Sequence, residues 1–133
     1  MEFIRLCESF DDNYEFRIGD DLFRVEFVYR KDYWELMYYI WDGNNWSVSK
    51  TSTSSPYKIV DRVFGYCLND FIVKKKPKKI LIKGLPKDRQ REYVSPRTKL
   101  YVRYLRLNVP RGMRMTYPSK DIVNNKIILE YID

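Results

Sequence analysis

Between Lys74 and Arg114 the sequence places 15 lysines and arginines against two acids, Asp88 and Glu92. Clustered cations attract phosphates and displace their counterions, so the chemistry this segment offers is polyanion binding, most simply to a nucleic-acid backbone. Within it Lys87, Arg89, Arg91, Arg97, Lys99, Arg103, Arg106 and Arg111 are the candidate contact residues. Arginine suits the role because its planar fork makes bidentate bonds to phosphate or carboxylate. Arg97 follows Ser95-Pro96, a helix start whose unpaired backbone N–H groups already favour an anion. Tyr93 and Tyr101 flank the set as candidate base-stacking residues, with core packing as the competing reading for tyrosines at helical spacing. The lysines at 74, 75, 76, 78 and 79 read as the solvated terminus of a helix, where cations suit the negative end of its dipole.

Catalysis has little support. The chain has no histidine, so the commonest general base is missing and neither Cys7 nor Cys67 has an imidazole to activate it. Its five glycines, at 19, 43, 65, 84 and 112, are isolated and form no phosphate-cradling loop. Asp61 with Asp70, or Asp11 with Asp12, are the carboxylates that could hold a metal, and surface charge is the simpler reading of each. Two thiols without histidine do not complete a structural zinc site. No metal, cofactor or catalytic residue is therefore expected, and the cysteines are expected as buried thiols.

The chain has 133 residues, of which 44% are hydrophobic and 17% aromatic, enough for one core and one domain over residues 1–133. No apolar run approaches the roughly 18 residues of a membrane span, and the start Met1-Glu2-Phe3-Ile4-Arg5 lacks the pattern of a secretion signal. The expectation is a soluble, cytoplasmic protein without membrane contact. The net charge of +7 hides a division: residues 1–73 carry 8 Lys/Arg and 13 Asp/Glu, a net −5, and residues 74–133 carry 17 and 5, a net +12. Such asymmetry points to a polyanionic partner or to a face-specific interaction.

The elements that must position these charges follow from periodicity. Tyr14 to Ile18 and Phe23 to Tyr29 alternate apolar and charged residues around Gly19-Asp20-Asp21, which predicts an antiparallel hairpin. Tyr33 to Trp41 is apolar on both faces, as in a central strand covered on both sides. Asp42-Gly43-Asn44-Asn45 then turns the chain into a fourth strand, Trp46 to Ser49. Ser55 is placed to cap a helix beginning at Pro56. Ile59, Val60, Val63, Phe64, Cys67, Leu68, Phe71 and Ile72 form one apolar stripe along it, expected to cover the sheet. Pro77 closes that helix, Ile80 to Ile82 is a short buried strand, and a second helix runs from Pro96 to Leu107. On it Lys99, Arg103 and Arg106 share a row and Leu100, Tyr101, Tyr104 and Leu105 face the core. Arg114 to Tyr117 is a further short strand and Ile127 to Ile132 the last. The fold class is α+β, an antiparallel sheet of about four N-terminal strands plus one or two C-terminal strands with two helices packed on it, β4-α-β-α-β.

Trp34, Tyr38, Tyr39, Trp41 and Trp46 read as core or protein interface rather than as an RNA-stacking platform, because Glu35 and Asp42 beside them repel phosphate. The run from Ser54-Ser55-Pro56 to Phe71, the strand Lys79-Ile80-Leu81-Ile82 and the segment Arg97-Thr98-Lys99-Leu100-Tyr101-Val102-Arg103-Tyr104-Leu105 resemble a group of small uncharacterised phage and bacterial proteins. That resemblance implies an α+β fold and a viral source, and it brings no activity. The function expected from the residues is a non-enzymatic binding module contacting nucleic acid through its basic C-terminal surface. The alternative is a virion or host-interaction protein working through protein contacts, including head-to-tail homo-oligomers.

Overall fold

The computed structural model describes residues 13–47, 55–83, 96–116 and 126–132. Four strands come first: β1 (Asn13–Ile18), β2 (Asp21–Tyr29), β3 (Trp34–Trp41) and β4 (Trp46–Ser47). A helix over residues 56–75, α1, leads to β5 (Lys79–Lys83), and α2 (Pro96–Leu107) leads to β6 (Met113–Thr116) and β7 (Lys126–Tyr131). The α+β class and the helix-on-sheet layout are as the periodicity predicts. The described C-terminal part contributes three strands rather than one or two, and the seven strands form one sheet in the order β1-β2-β3-β5-β7-β6, with β4 also on β3.

The hairpin expected at Gly19 forms with Ile18 opposite Asp21 and Phe16 opposite Phe23. Gly19 takes φ +60°, a left-handed conformation that costs glycine nothing. One pairing departs from the expected antiparallel pattern: β3 and β5 run parallel, with Trp34 opposite Ile80 and Leu36 opposite Ile82. A parallel neighbour requires a long crossover, and α1 supplies it between β4 and β5. Strand alternation then sends Phe16, Phe23, Val25, Phe27, Leu36, Ile40, Ile80, Ile82, Ile127 and Leu129 to one buried face. The apolar residues of both helices join the same cluster, so both helices sit on that side. Phe71 of α1 stacks on Phe27 with ring centroids 3.9 Å apart and meets Trp34 edge-on.

The side chains of β3 divide between the two faces of the sheet. Trp34, Leu36, Tyr38 and Ile40 point to the helices, whereas Glu35, Met37, Tyr39 and Trp41 point to a face on which no described helix lies. The sequence is apolar on both faces because the second face carries its own partly exposed aromatic cluster.

In α1 all eight residues of the apolar stripe are buried, yet their spacing is not that of an α-helix. They repeat every fourth residue, and at 3.6 residues per turn a repeat of four overshoots by roughly 40° each time, about 120° over three repeats. The helix corrects this. It is α-helical over Pro56–Arg62, π-helical over Val63–Leu68 and α-helical again over Asn69–Lys75. A π stretch bonds one residue further along and takes more residues per turn, which rotates the stripe back onto the sheet. Asn69 Nδ2 donates to the Gly65 carbonyl at 2.9 Å, satisfying an acceptor inside the irregular stretch.

Both ends of α1 differ in detail from expectation. Ser55 stands at the N-cap and Pro56 at the first helical position, but the Ser55 side chain makes no capping bond. Its carbonyl instead accepts from Ile59 N at 3.2 Å. At the other end the helix stops before Pro77, at Lys76, whose left-handed φ of +48° lets its N–H reach the Ile72 carbonyl at 2.8 Å. A residue with a Cβ is strained there. Lys76→Gly is therefore expected to stabilise the protein by about 0.5–1 kcal/mol, measured as a higher urea midpoint at unchanged slope.

Candidate nucleic-acid interface

The strand order converts the charge division of the sequence into a division in space. β1, β2 and β3 lie together on one side of the sheet and β5, β7 and β6 on the other. On the acidic side several of the described cations are paired internally. Arg24 reaches Glu15 at 3.2 Å and Glu26 at 2.8 Å, and Lys74 reaches Asp70 at 2.9 Å. Glu35, only 6% exposed, lies between Arg30 at 3.1 Å and Lys83 at 3.4 Å.

The basic side is different. Lys99, Arg103 and Arg106 are exposed along α2, and Arg111 and Arg114 are exposed on the turn and strand that follow. Among the described residues, Lys99, Arg103, Arg111 and Arg114 have no carboxylate partner. Arg106 of α2 and Arg114 of β6 line one open cleft of about 680 Å³ together with Val109, Met113, Met115 and Thr116. The cleft is built by the chain reversal after α2. Asn108 N bonds to the Leu105 carbonyl at 3.1 Å, Met113 N to the Pro110 carbonyl at 3.1 Å, and Gly112 turns with φ +85°. β6 then pairs with β7, Met113 opposite Tyr131 and Met115 opposite Leu129. That pairing buries Met113 and leaves Arg114 exposed.

Of the residues expected at this surface, Lys87, Arg89, Arg91 and Tyr93 lie outside the described residues, as does the Arg97 side chain, although Arg97 is the second residue of α2. Tyr101 is corrected from candidate stacking residue to core. It is 8% exposed and packs perpendicular to the Phe64 ring at 5.0 Å, so burial leaves little of it for a base to stack on. Arg114 belongs to the surface although the spacing of the cations did not single it out. The alternation Met113-Arg114-Met115-Thr116 was its signal, since methionines turned toward the core on either side force the arginine outward.

What orients α2 is a polar bond within an apolar contact. Tyr104 packs on Tyr57 and Phe64 and donates its hydroxyl to Asp61 Oδ1 at 2.8 Å. Asp61 and Asp70, the pair considered for a metal, each accept from a different tyrosine, since Tyr14 donates to Asp70 at 2.7 Å. Among the described residues no three His, Cys, Asp or Glu come together, and no helix there is long and apolar enough to cross a membrane. Cys67 is a buried free thiol.

The sheet face opposite the two helices carries a second cluster. Trp41, 37% exposed, meets Trp46 edge-on at 5.3 Å, and the Arg24 guanidinium lies 5.6 Å from the Trp46 ring. Of the five aromatics considered as a platform, Tyr39, Trp41 and Trp46 share this face, whereas Trp34 and Tyr38 pack against the core.

The chain matches no family model, no curated protein and no solved structure.

Burial, and then the bond to the Asp61 carboxylate, hold the Tyr104 hydroxyl well above its ordinary ionisation range. A group whose ionisation is raised by folding contributes stability that is complete below its unfolded pKa and is lost as pH rises beyond it. Tyr104→Phe is expected to lower stability at neutral pH and to reduce the loss seen above about pH 10, so that the two denaturation curves approach one another in alkali.

Proposed function

We propose that the protein is a non-enzymatic binding module that holds the phosphates of a nucleic acid along α2 and in the cleft between α2 and β6. The observation that carries this reading is that Arg106 and Arg114, from separate elements, both line one open cleft. Lys99, Arg103 and Arg111 extend the same basic side and have no carboxylate partner among the described residues. Phosphate contacts of this kind give affinity and orientation but no base sequence. The methionine and valine floor offers apolar contact and no fixed pattern of donors, so weak sequence preference is expected. The test is fluorescence anisotropy with short single- and double-stranded oligonucleotides across a salt series. Affinity is expected to fall steeply with salt, and the double variant Arg106→Ala with Arg114→Ala is expected to flatten the log–log slope by about 0.7–0.9 for each phosphate it no longer neutralises. No binding at low salt, or a slope indifferent to the double variant, overturns the assignment.

A second reading rests on the Trp41 and Trp46 pair. An exposed tryptophan packed on a half-buried one beside an arginine has the composition of a protein-contact surface, which suits a virion or host-interaction component or a self-assembling chain. Light scattering over a range of protein concentrations distinguishes the last of these. Under it mass rises with concentration, and Trp41→Ser abolishes the rise. A mass that stays monomeric throughout removes self-assembly.

A further inference from the structure

Seven large apolar side chains are exposed among the described residues, and five of them, Tyr29, Val73, Leu107, Tyr131 and Ile132, stand at the ends of their elements. The fold delivers those ends to one place. β3 and β5 begin side by side, Trp34 opposite Ile80, and β2 ends beside them with Tyr29 opposite Trp34. α1 ends there because it runs directly into β5, and β7 ends there with Tyr131 N bonded to the Lys78 carbonyl at 3.0 Å. The turn that follows α2 joins the same end, where Ile132 N bonds to the Gly112 carbonyl at 2.9 Å.

Cations stand among these apolar tips. Lys31 lies in the turn between β2 and β3, Lys76 and Lys78 join α1 to β5, and Arg111 precedes β6. All four are exposed, and among the described residues none has an ion-pair partner. Their neighbours Arg30, Lys74 and Lys79 are held by Glu35, Asp70 and Glu130, and Asp32 is an exposed acid in the same turn as Lys31. The backbone marks two of the four. Among the described residues the non-glycine residues with positive φ are Lys31, at +80°, and Lys76, at +48°. A side chain is strained there and glycine is not, and such strain concentrates at functional sites. The chain thus keeps a cation at two positions where the turn alone favours glycine.

We propose that this end of the sheet docks on an anionic membrane surface, its apolar side chains entering the headgroup layer and its lysines facing anionic lipid. Val73, Leu107 and Ile132 are aliphatic and offer no ring for a base to stack on, whereas the acyl boundary removes them from water. Tyr29 and Tyr131 have the apolar body and polar tip that suit the bilayer interface. A second copy docked on this end would bring like charges face to face. The sequence expectation of no membrane contact rests on the lack of a spanning run, and docking at a surface needs none.

Co-sedimentation of the full chain with vesicles tests the proposal, using phosphatidylcholine alone and an equal mixture of phosphatidylcholine and phosphatidylserine. Binding to the mixed vesicles is expected to weaken with salt and to exceed binding to phosphatidylcholine by about tenfold or more. Lys31→Gly and Lys76→Gly relieve the strained backbone, so thermal melts are expected to show each at least as stable as the parent. Each is nevertheless expected to bind the mixed vesicles about fivefold less tightly, the effect of one cation near an anionic surface. Val73→Ser with Leu107→Ser, at exposed positions, is expected to weaken vesicle binding by about tenfold or more and to leave oligonucleotide affinity unchanged. No binding to mixed vesicles, equal binding to both kinds, or affinities indifferent to the glycine or to the serine variants overturns the proposal. Loss of oligonucleotide binding or of self-association in the serine variant, without vesicle binding by the parent, also overturns it and assigns the surface to nucleic acid or to a second copy.

Discussion

A helix of twenty residues laid on a sheet must keep one side against it from end to end, and in α1 that side repeats every fourth residue. The stripe from Ile59 to Ile72 stays buried throughout because the helix widens into a π stretch at Val63–Leu68. Other features of the molecule depend on that adjustment. Gly65 falls within the π stretch, and a Cβ placed there would stand 2.9 Å from the Tyr104 hydroxyl and 3.2 Å from Asp61 Oδ1. The bare backbone at Gly65 thus leaves space for the Tyr104–Asp61 bond that registers α2 on α1. The register of α2 in turn fixes where Arg103 and Arg106 emerge. A packing constraint on one face of the protein therefore decides the position of charges on another.

The charged residues divide into those that serve the fold and those that do not. Exposed ion pairs contribute little stability, on the order of 0–1 kcal/mol each, so the pairing of Arg24 with Glu15 and Glu26 is chiefly a neutralisation of the sheet face around Trp46. A cation placed among unmatched cations has no such return and repels its neighbours. Among the described residues Lys99, Arg103, Arg111 and Arg114 have no carboxylate partner, and neither have Arg17 and Lys58 on the far side. Net charge along the sequence identifies the first group and conceals the second, because Asp11, Asp12, Asp20 and Asp21 outweigh it in any local count.

Local pattern made the strands, both helices and the buried cysteine at 67 legible, since alternation of period two and a long apolar stripe each have one structural solution. The stripe also carried the π stretch, for a repeat of four differs from a repeat of 3.6, and the difference accumulates over three turns. Pairing between distant strands left no such trace. The parallel junction of β3 with β5 depends on where α1 delivers the chain, which no local pattern encodes. The placing of Arg106 and Arg114 along one cleft has the same origin. The role of Tyr101 was ambiguous because spacing places a tyrosine on a helix face without saying whether a ring such as Phe64 already covers it.

The junction between the two halves of the sheet has its own requirement. Among the described residues β3 meets β5 through Trp34, Glu35 and Leu36, a short parallel contact beside the longer antiparallel pairing of β2 with β3. Glu35 stands in the middle of it, opposite Leu81, buried, with Arg30 from the acidic half on one oxygen and Lys83 from the basic half on the other. A buried carboxylate is costly unless paired, and removing either partner of such a pair destabilises more than removing an exposed one. Because Arg30 and Lys83 are themselves about half exposed, water screens part of that cost. What remains is directional. Pairing β5 with β3 one residue out of register would send Lys83 away from the carboxylate and turn Ile80 and Ile82 to the opposite face of the sheet. Glu35 therefore selects the register in which the basic half joins the sheet, and with it the side on which Arg103, Arg111 and Arg114 are presented.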